Sequence, residues 1–325
     1  MSNPIWGTAH HVPELRDTPM TPLPSRFRDG WIGALEALNF LLTNRIPRQL
    51  LTRWFGRFSQ VRHPWVSQPA LALWKRFAAL ELHEAQTQEF ASLHECFIRK
   101  LKPGARPVNA DPACLTSPCD GIVGACGALQ GTQLIQAKGF PYTLHELLGE
   151  EALCETYRDG QYATIRITSS MYHRFHAPHD CTVDRVSYIS GDTWNVNPIA
   201  LKRVERLFCR NERAVVRCTL TAGGHPVTLV PVAAVLVASI RLHFADVLLH
   251  LKYRGANPIP CSARLSKGEE MGWFQHGSTI IVFAPRGFRL AKGITEGQRI
   301  RVGEPLMQLP RIPPRDAAGF DVEPA

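Results

Sequence analysis

The chain has no Cys-x-x-Cys pair, although nine cysteines are spread over its 325 residues. An odd set without that spacing argues against a disulfide framework and against a zinc cluster, and it suits a reducing compartment. No apolar run approaches the roughly eighteen residues that a membrane span requires. The most apolar stretch, Val232 to Ile240, has the length of a buried strand. The N-terminus lacks the charged-then-apolar layout of a secretory signal; Pro4, His10, His11, Glu14 and Asp17 stand there instead. Any membrane contact is therefore expected to be peripheral. Acidic residues are missing altogether between Arg45 and Arg76. That segment carries Arg45, Arg48, Arg53, Arg57, Arg62, Lys75 and Arg76, interleaved with Trp54, Phe55, Phe58, Trp65, Trp74 and Phe77.

Such a mixture suits a bilayer interface, with rings at headgroup depth and cations facing anionic lipid. The plainer reading is a basic helical face packed on the rest of the protein. A net charge of +9 would also suit nucleic acid, but no nucleic-acid motif accompanies it, and none is expected as a partner. A hydrophobic content of 45% is ordinary, and the length allows one large domain or two smaller ones.

Texture changes along the chain. Residues 1–30 read as an irregular, Pro- and Thr-rich lead. Helices are expected over Trp31–Thr43, Pro47–Gln60, Ala70–Leu80 and Ser92–Arg99. Lys102-Pro-Gly-Ala-Arg-Pro107 reads as a linker. Short apolar runs follow, punctuated by glycine and proline: Gly121–Leu129, Tyr162–Ile167, Thr182–Ile189, Ala214–Leu220, Val227–Ile240 and Thr279–Phe283. The tail Glu296-Gly-Gln-Arg-Ile-Arg-Val-Gly-Glu-Pro-Leu306 resembles the strand-turn-strand of lipoyl and biotinyl carriers. The expected class is α+β. N-terminal amphipathic helices (1–100, a membrane-associating region) would sit on a β-rich sandwich or barrel of barrel-sandwich-hybrid type (101–325, catalytic).

One dipeptide stands out: Gly277-Ser278, in Phe274-Gln-His-Gly-Ser-Thr-Ile-Ile-Val-Phe-Ala-Pro285. Glycine leaves its carbonyl unshielded and its backbone free to adopt strained angles. Serine brings a hydroxyl that a neighbouring base can turn into a nucleophile. Attack of Ser278 Oγ on the Gly277 carbonyl would give an ester, and elimination would leave dehydroalanine. Hydrolysis would then release ammonia and leave a pyruvoyl ketone at the head of a new chain.

The segment Lys267-Gly-Glu-Glu-Met-Gly-Trp-Phe-Gln-His-Gly-Ser-Thr279 resembles the self-cleavage region of phosphatidylserine decarboxylases. Ser117-Pro-Cys-Asp-Gly121 and Gln136-Ala-Lys-Gly139 are similar to that family's aspartate region, and Tyr172-His-Arg-Phe-His-Ala-Pro178 to its two-histidine motif. Gly191-Asp192, Val196-Asn197 and Leu207-Phe-Cys-Arg-Asn-Glu-Arg213 follow in family order, so the resemblance runs from about Phe97 to about Leu309. It implies that Asp120, His176 and Ser278 form a relay for cleavage, with His176 the base and Asp120 its orienter. It implies that His173 acts as the acid in turnover.

The implied activity is decarboxylation of phosphatidylserine to phosphatidylethanolamine through a Schiff base on the pyruvoyl group made from Ser278. Neither pyridoxal phosphate nor a metal is called for. The implied partners are phosphatidylserine, an anionic membrane surface, the cleaved chains 1–277 and 278–325, and a second copy of their pair. The implied location is the cytoplasmic side of the cell membrane, peripherally. His276 departs from the family's usual Leu or Gly before the scissile glycine.

Unaided, the residues leave more open. Asp120-Gly121 is also a common turn signal. His173, His176 and His179 form a His-x-x-His-x-x-His series, which invites a metal, but zinc usually takes helical i, i+4 pairs with a further ligand. The histidines could lie on one helical face or diverge from a bend before Pro178. Other classes are a pyruvoyl decarboxylase of a soluble amino acid, a serine hydrolase and an unprocessed carrier barrel. The hydrolase elbow Gly-x-Ser-x-Gly is absent, since His276 holds the position before Gly277. The carrier's modified hairpin lysine is absent too.

Overall fold

The strand Thr279–Ala284 is buried at every residue and lies inside an eight-stranded antiparallel sheet. Burial on both faces explains why Ile280-Ile-Val-Phe-Ala284 reads as a continuous apolar run rather than an alternating one. The strands lie side by side in the order Ile259–Leu265, Cys181–Ile189, Arg213–Leu220, Pro226–Val232, Thr279–Ala284, Gln161–Arg166, Gly121–Ala128 and Arg299–Ile300. One row of paired residues crosses nearly the whole sheet: Ile189, Arg213, Val232, Thr279, Arg166, Ile122 and Arg299.

This computed structural model describes residues 47–78, 80–136, 140–235, 239–250, 253–275 and 279–310, all within one compact unit, 40–325. The lead over 1–30, the helix expected over Trp31–Thr43, and His276, Gly277 and Ser278 lie outside the described residues.

A four-stranded sheet, in the order Val247–His250, Ser239–Leu242, Glu270–Phe274 and Arg174–His176, brings the two-histidine motif beside the strand that leads to Gln275. The chain thus passes from this sheet at Phe274 into the centre of the larger one at Thr279. Gly272 makes the pairing possible, since a Cβ there would overlap the Arg241 carbonyl on the neighbouring strand. A three-stranded sheet joins Cys114–Thr116, Pro305–Gln308 and Arg289–Leu290. The architecture is β-rich with few helices.

Two expectations are revised and one open choice is decided. The run Val227–Ile240 divides into Pro226–Val232 and Ser239–Leu242, which belong to different sheets. Hydrophobicity alone carries no mark of such a change of sheet. The strands in the Glu296–Leu306 tail do not pair with each other. Arg299–Ile300 pairs with the Gly121 strand, and Pro305–Gln308 with Cys114–Thr116 and Arg289–Leu290. His173 and His176 are not helical: Arg174–His176 is a strand, and an odd separation along extended backbone sends the two rings to opposite faces.

Helices occupy Arg48–Ser59 and Pro64–Phe77. The second begins well before the expected Ala70, because Pro64 fits the first turn, where its missing N–H costs nothing. Pro69 sits inside it and forfeits one backbone bond. Leu93–Phe97 is capped by Ser92, whose hydroxyl accepts from the Glu95 amide at 3.2 Å. These helices enclose a small core around Leu71, Phe90, Leu93 and Cys96.

Candidate active site

The expected catalytic residues lie on strands around Gln275 and Thr279, the described residues on either side of the expected cleavage site. The Phe274 amide donates to the His173 carbonyl at 3.0 Å, and the Gln275 amide to the Ser239 carbonyl at 3.2 Å. The chain reappears at Thr279, directly opposite Arg166 and Val232. Asp120 reaches the same region because the His176 amide donates to the Pro118 carbonyl at 2.7 Å.

His173 is fully buried, and its ring packs edge-on against Phe97 with centroids 5.3 Å apart. Phe97 in turn stacks on Trp74 at 4.2 Å. Among the described residues neither imidazole nitrogen of His173 has a hydrogen-bond partner. Burial, helped by the Arg99 charge, pushes its pKa down to about 3, so the ring is neutral throughout the physiological range.

His176 is held at both nitrogens. Nδ1 lies 2.8 Å from the Gly268 carbonyl, which can only accept, so this nitrogen carries the proton. Nε2 is then the basic atom of the neutral ring, and the Tyr172 hydroxyl donates to it at 3.0 Å. Burial lowers the pKa of His176, opposed by the Gly268 carbonyl and by the charges of Glu270 and Asp120.

Asp120 makes its hydrogen bonds elsewhere. Arg106 grips both carboxylate oxygens, with contacts of 2.5 to 3.1 Å, and the Val302 amide donates to Oδ1 at 2.9 Å. Asp120 therefore acts on His176 through space, while the Gly268 carbonyl orients the ring. Arg106 also binds Glu84 at 2.8 Å and lies over the Tyr172 ring, 6.0 Å from its centroid. Burial alone would raise the Glu84 carboxyl, but the Arg106 hydrogen bond and charge bring it below the usual range.

Both partners of the Arg106–Asp120 pair are more than nine-tenths buried. Arg106→Gln strands a buried charge, so it is expected to cost about 3–5 kcal/mol in urea unfolding at neutral pH. A loss under 1 kcal/mol would mean that water reaches Asp120 freely.

His179 is set apart from this group: its Nε2 lies 2.9 Å from the Pro112 carbonyl.

Several buried polar groups near Gln275 and Thr279 are unspent. Besides His173, the Ser239 hydroxyl and both carboxylate oxygens of Glu212 lack hydrogen-bond partners among the described residues. The Tyr188 hydroxyl, its pKa raised by burial and by the nearby Glu212 charge, donates to the His250 carbonyl at 3.1 Å. The Glu212 carbonyl accepts from Ala233, and the next residue pair along, Arg213 and Val232, leads to Thr279. Buried polar groups are normally satisfied, so these unspent atoms mark a place where hydrogen bonds remain to be made.

Burial lifts the Glu212 carboxyl to about 7. The folded state then binds more protons than the unfolded state between pH 4.5 and 7, and stability falls as pH rises through that window. Glu212→Gln should abolish the fall and gain on the order of 3 kcal/mol at pH 8. Parallel stability curves against pH for the two proteins would contradict this.

An apolar cleft of about 690 Å³ opens beside these groups. Phe55, Trp74, Leu93 and Phe97 form one wall, and Arg166, Ile167 and Val196 belong to the other. Phe97 is thus shared between the cleft and the packing of His173.

Sequence reasoning did not single out Tyr172, Arg106, Arg166 or Glu212. Tyr172 and Glu212 sit within segments noted for their resemblance, whereas Arg106 lies in what reads as a linker. Nothing in the pattern marks Arg166.

The phosphatidylserine decarboxylase family model matches residues 93–308, and the chain belongs to that family. It is similar to the phosphatidylserine decarboxylase proenzyme of Haemophilus influenzae, at 34% identity over 274 residues, 80% of this chain and 92% of that protein. The proenzyme of that name from Vibrio cholerae is 36% identical over 271 residues, 80% of this chain and 94% of its own. That from Sodalis glossinidius is 32% identical over 285 residues, 84% and 96% respectively.

Proposed function

We propose that this protein is made as a proenzyme, cuts itself between Gly277 and Ser278, and decarboxylates phosphatidylserine to phosphatidylethanolamine. The observation that carries this reading is the hydrogen bond from Phe274 to His173, which ties the two-histidine motif to the strand entering the dipeptide. The names of the relatives supply the substrate and the word proenzyme.

In cleavage, Ser278 Oγ adds to the Gly277 carbonyl and its proton passes to a base. His176 is suited to that role, because Gly268 fixes its tautomer and leaves the lone pair at Nε2. Tyr172 occupies that lone pair before reaction and would have to yield it. Asp120, fixed by Arg106 and Val302, favours the imidazolium as it forms.

The pyruvoyl group made from Ser278 supplies a carbonyl electrophile for the headgroup amine and an electron sink for the departing carboxylate. The unspent groups at His173, Ser239 and Glu212 fit a ketone and a polar headgroup arriving there. His173, whose ring rests neutral in an apolar wall, would take up the proton released by the headgroup ammonium and pass it to the former α-carbon. Dryness favours loss of the substrate carboxylate, whose charge disperses as carbon dioxide leaves.

Residues 1–100 serve as the membrane-associating part and 101–325 as the catalytic part, whose sheets follow a barrel-sandwich plan. Exposed Leu50, Trp54, Trp65, Val66 and Leu73 concentrate on two neighbouring helices, beside exposed Arg53, Arg57, Arg62, Lys75 and Arg76. That pairing of rings with cations suits peripheral contact with an anionic bilayer. No helix among the described residues is long and apolar enough to cross a membrane. The nine cysteines, all free, accord with the cytoplasmic face. The two cleaved chains remain paired, and a dimer of that pair completes the assembly.

The test is carbon dioxide release by purified protein from phosphatidylserine vesicles, against free serine and other amino acids. Release from the lipid alone supports the reading; release from a free amino acid alone replaces it.

A further inference from the structure

Arg166 has no carboxylate to pair with among the described residues. Among the described residues it makes no ion pair and no side-chain hydrogen bond, and burial is the sole cause that lowers its pKa. It is also the one charged residue among the described lining of the apolar cleft. A half-buried guanidinium without an anion is costly, and proteins normally pair it. The polar neighbours in the cleft do not serve. Asn195 accepts from the Asn197 amide at 3.0 Å, and Asn197 caps the turn at Ala200 at 2.8 Å. Thr168 bonds to Ser170 at 3.2 Å.

Its placement narrows the choice of anion. Arg166 pairs directly across the sheet with Thr279, the residue that follows Ser278. Opposed residues on neighbouring strands lie about 5 Å apart. A ligand held by Arg166 therefore has one end beside the reacting position and the other in the cleft, toward Trp74 and Phe55. Phosphatidylserine has that layout: an amine two carbons from a phosphodiester, with acyl chains beyond it. Two of its anionic groups compete for the cation. The carboxylate is a poor choice, because a salt bridge would stabilise it in the ground state and lose strength as carbon dioxide departs. The phosphodiester keeps its charge throughout, and a guanidinium matches its oxygens bidentately.

We propose that Arg166 anchors the phosphodiester of the lipid substrate in the apolar cleft, with the headgroup directed toward Thr279. This rests on the proposed function but is tested apart from it. The acyl chains then run along Phe97, Trp74 and Phe55 toward the exposed basic helices. The same contact serves substrate and product, since phosphatidylethanolamine retains the phosphodiester.

The experiment uses processed full-length protein, wild type, Arg166→Gln and Arg166→Lys, each checked by intact mass for normal splitting. Binding of short-chain dihexanoyl phosphatidylethanolamine is read by calorimetry, and KM for phosphatidylserine by carbon dioxide release. Arg166→Gln should weaken both by about tenfold or more, with Lys intermediate and kcat changed far less. Equal affinity of wild type and both variants for the ethanolamine lipid overturns the proposal. So does a rise in KM without loss of ethanolamine-lipid binding, which would place the cation on the carboxylate. A wild type that binds the lipid but releases no carbon dioxide from phosphatidylserine would sink the proposed function and leave Arg166 to be judged on binding alone.

Discussion

Ser278→Ala is expected to yield one unbroken chain of 325 residues on a denaturing gel, where the unaltered protein yields chains of 1–277 and 278–325. Without Oγ there is no nucleophile for the Gly277 carbonyl and no β-oxygen to eliminate, so both splitting and the ketone are lost together. Decarboxylation should drop to the background of the assay. Folding should survive, because Thr279–Ala284 keeps both neighbouring strands. The unaltered protein should also resist N-terminal sequencing of its shorter chain, which would begin with a ketone instead of an amine. Splitting of the Ala variant at the same bond, or an active single chain with an ordinary serine, contradicts the proposed chemistry.

His173→Leu separates cleavage from turnover. The proposed division of labour gives the base for cutting to His176 and the proton for the product to His173. The variant should split normally yet lose roughly 10²–10⁴ in kcat. Its stability should move the other way. The buried ring refuses a proton that the unfolded chain accepts, so the unaltered fold loses stability as pH falls from 6.5 toward 3. Leucine removes that loss, and since neither ring nitrogen has a partner, no hydrogen bond is sacrificed. Retained turnover in a split, stable variant would reduce His173 to a packing residue.

Much of the β-rich part was readable from the sequence, because its strands are apolar stretches bounded by glycine, proline and polar turns. Gly121–Ala128, Gln161–Arg166, Cys181–Ile189, Arg213–Leu220 and Thr279–Ala284 lie within a residue or so of the expected runs. What the pattern does not hold is pairing. The row from Ile189 to Arg299 joins seven strands far apart in the chain, and no local property of Arg166 marks its opposition to Thr279. The division of Val227–Ile240 between two sheets was hidden for the same reason.

Asp120, His173 and His176 were picked out by resemblance alone among 13 histidines and 28 acids. Their surroundings came only with the fold. Arg106 looked like part of a flexible connector, yet it is buried against Asp120 across fourteen residues of sequence. Gly268 contributes only a carbonyl to His176; its positive φ and the nearby Val108 favour glycine there, but nothing local ties that glycine to the histidine.

The position of Thr279–Ala284 between Gln161–Arg166 and Pro226–Val232 has a mechanical corollary. A nick just ahead of it liberates two ends without liberating either piece. The shorter piece is stitched into the interior on both flanks, and its later strands Arg299–Ile300 and Pro305–Gln308 fasten it twice more. It behaves as a rivet: extracting it means tearing the large sheet down the middle, so the severed molecule should melt in a single step, and so should the uncut one.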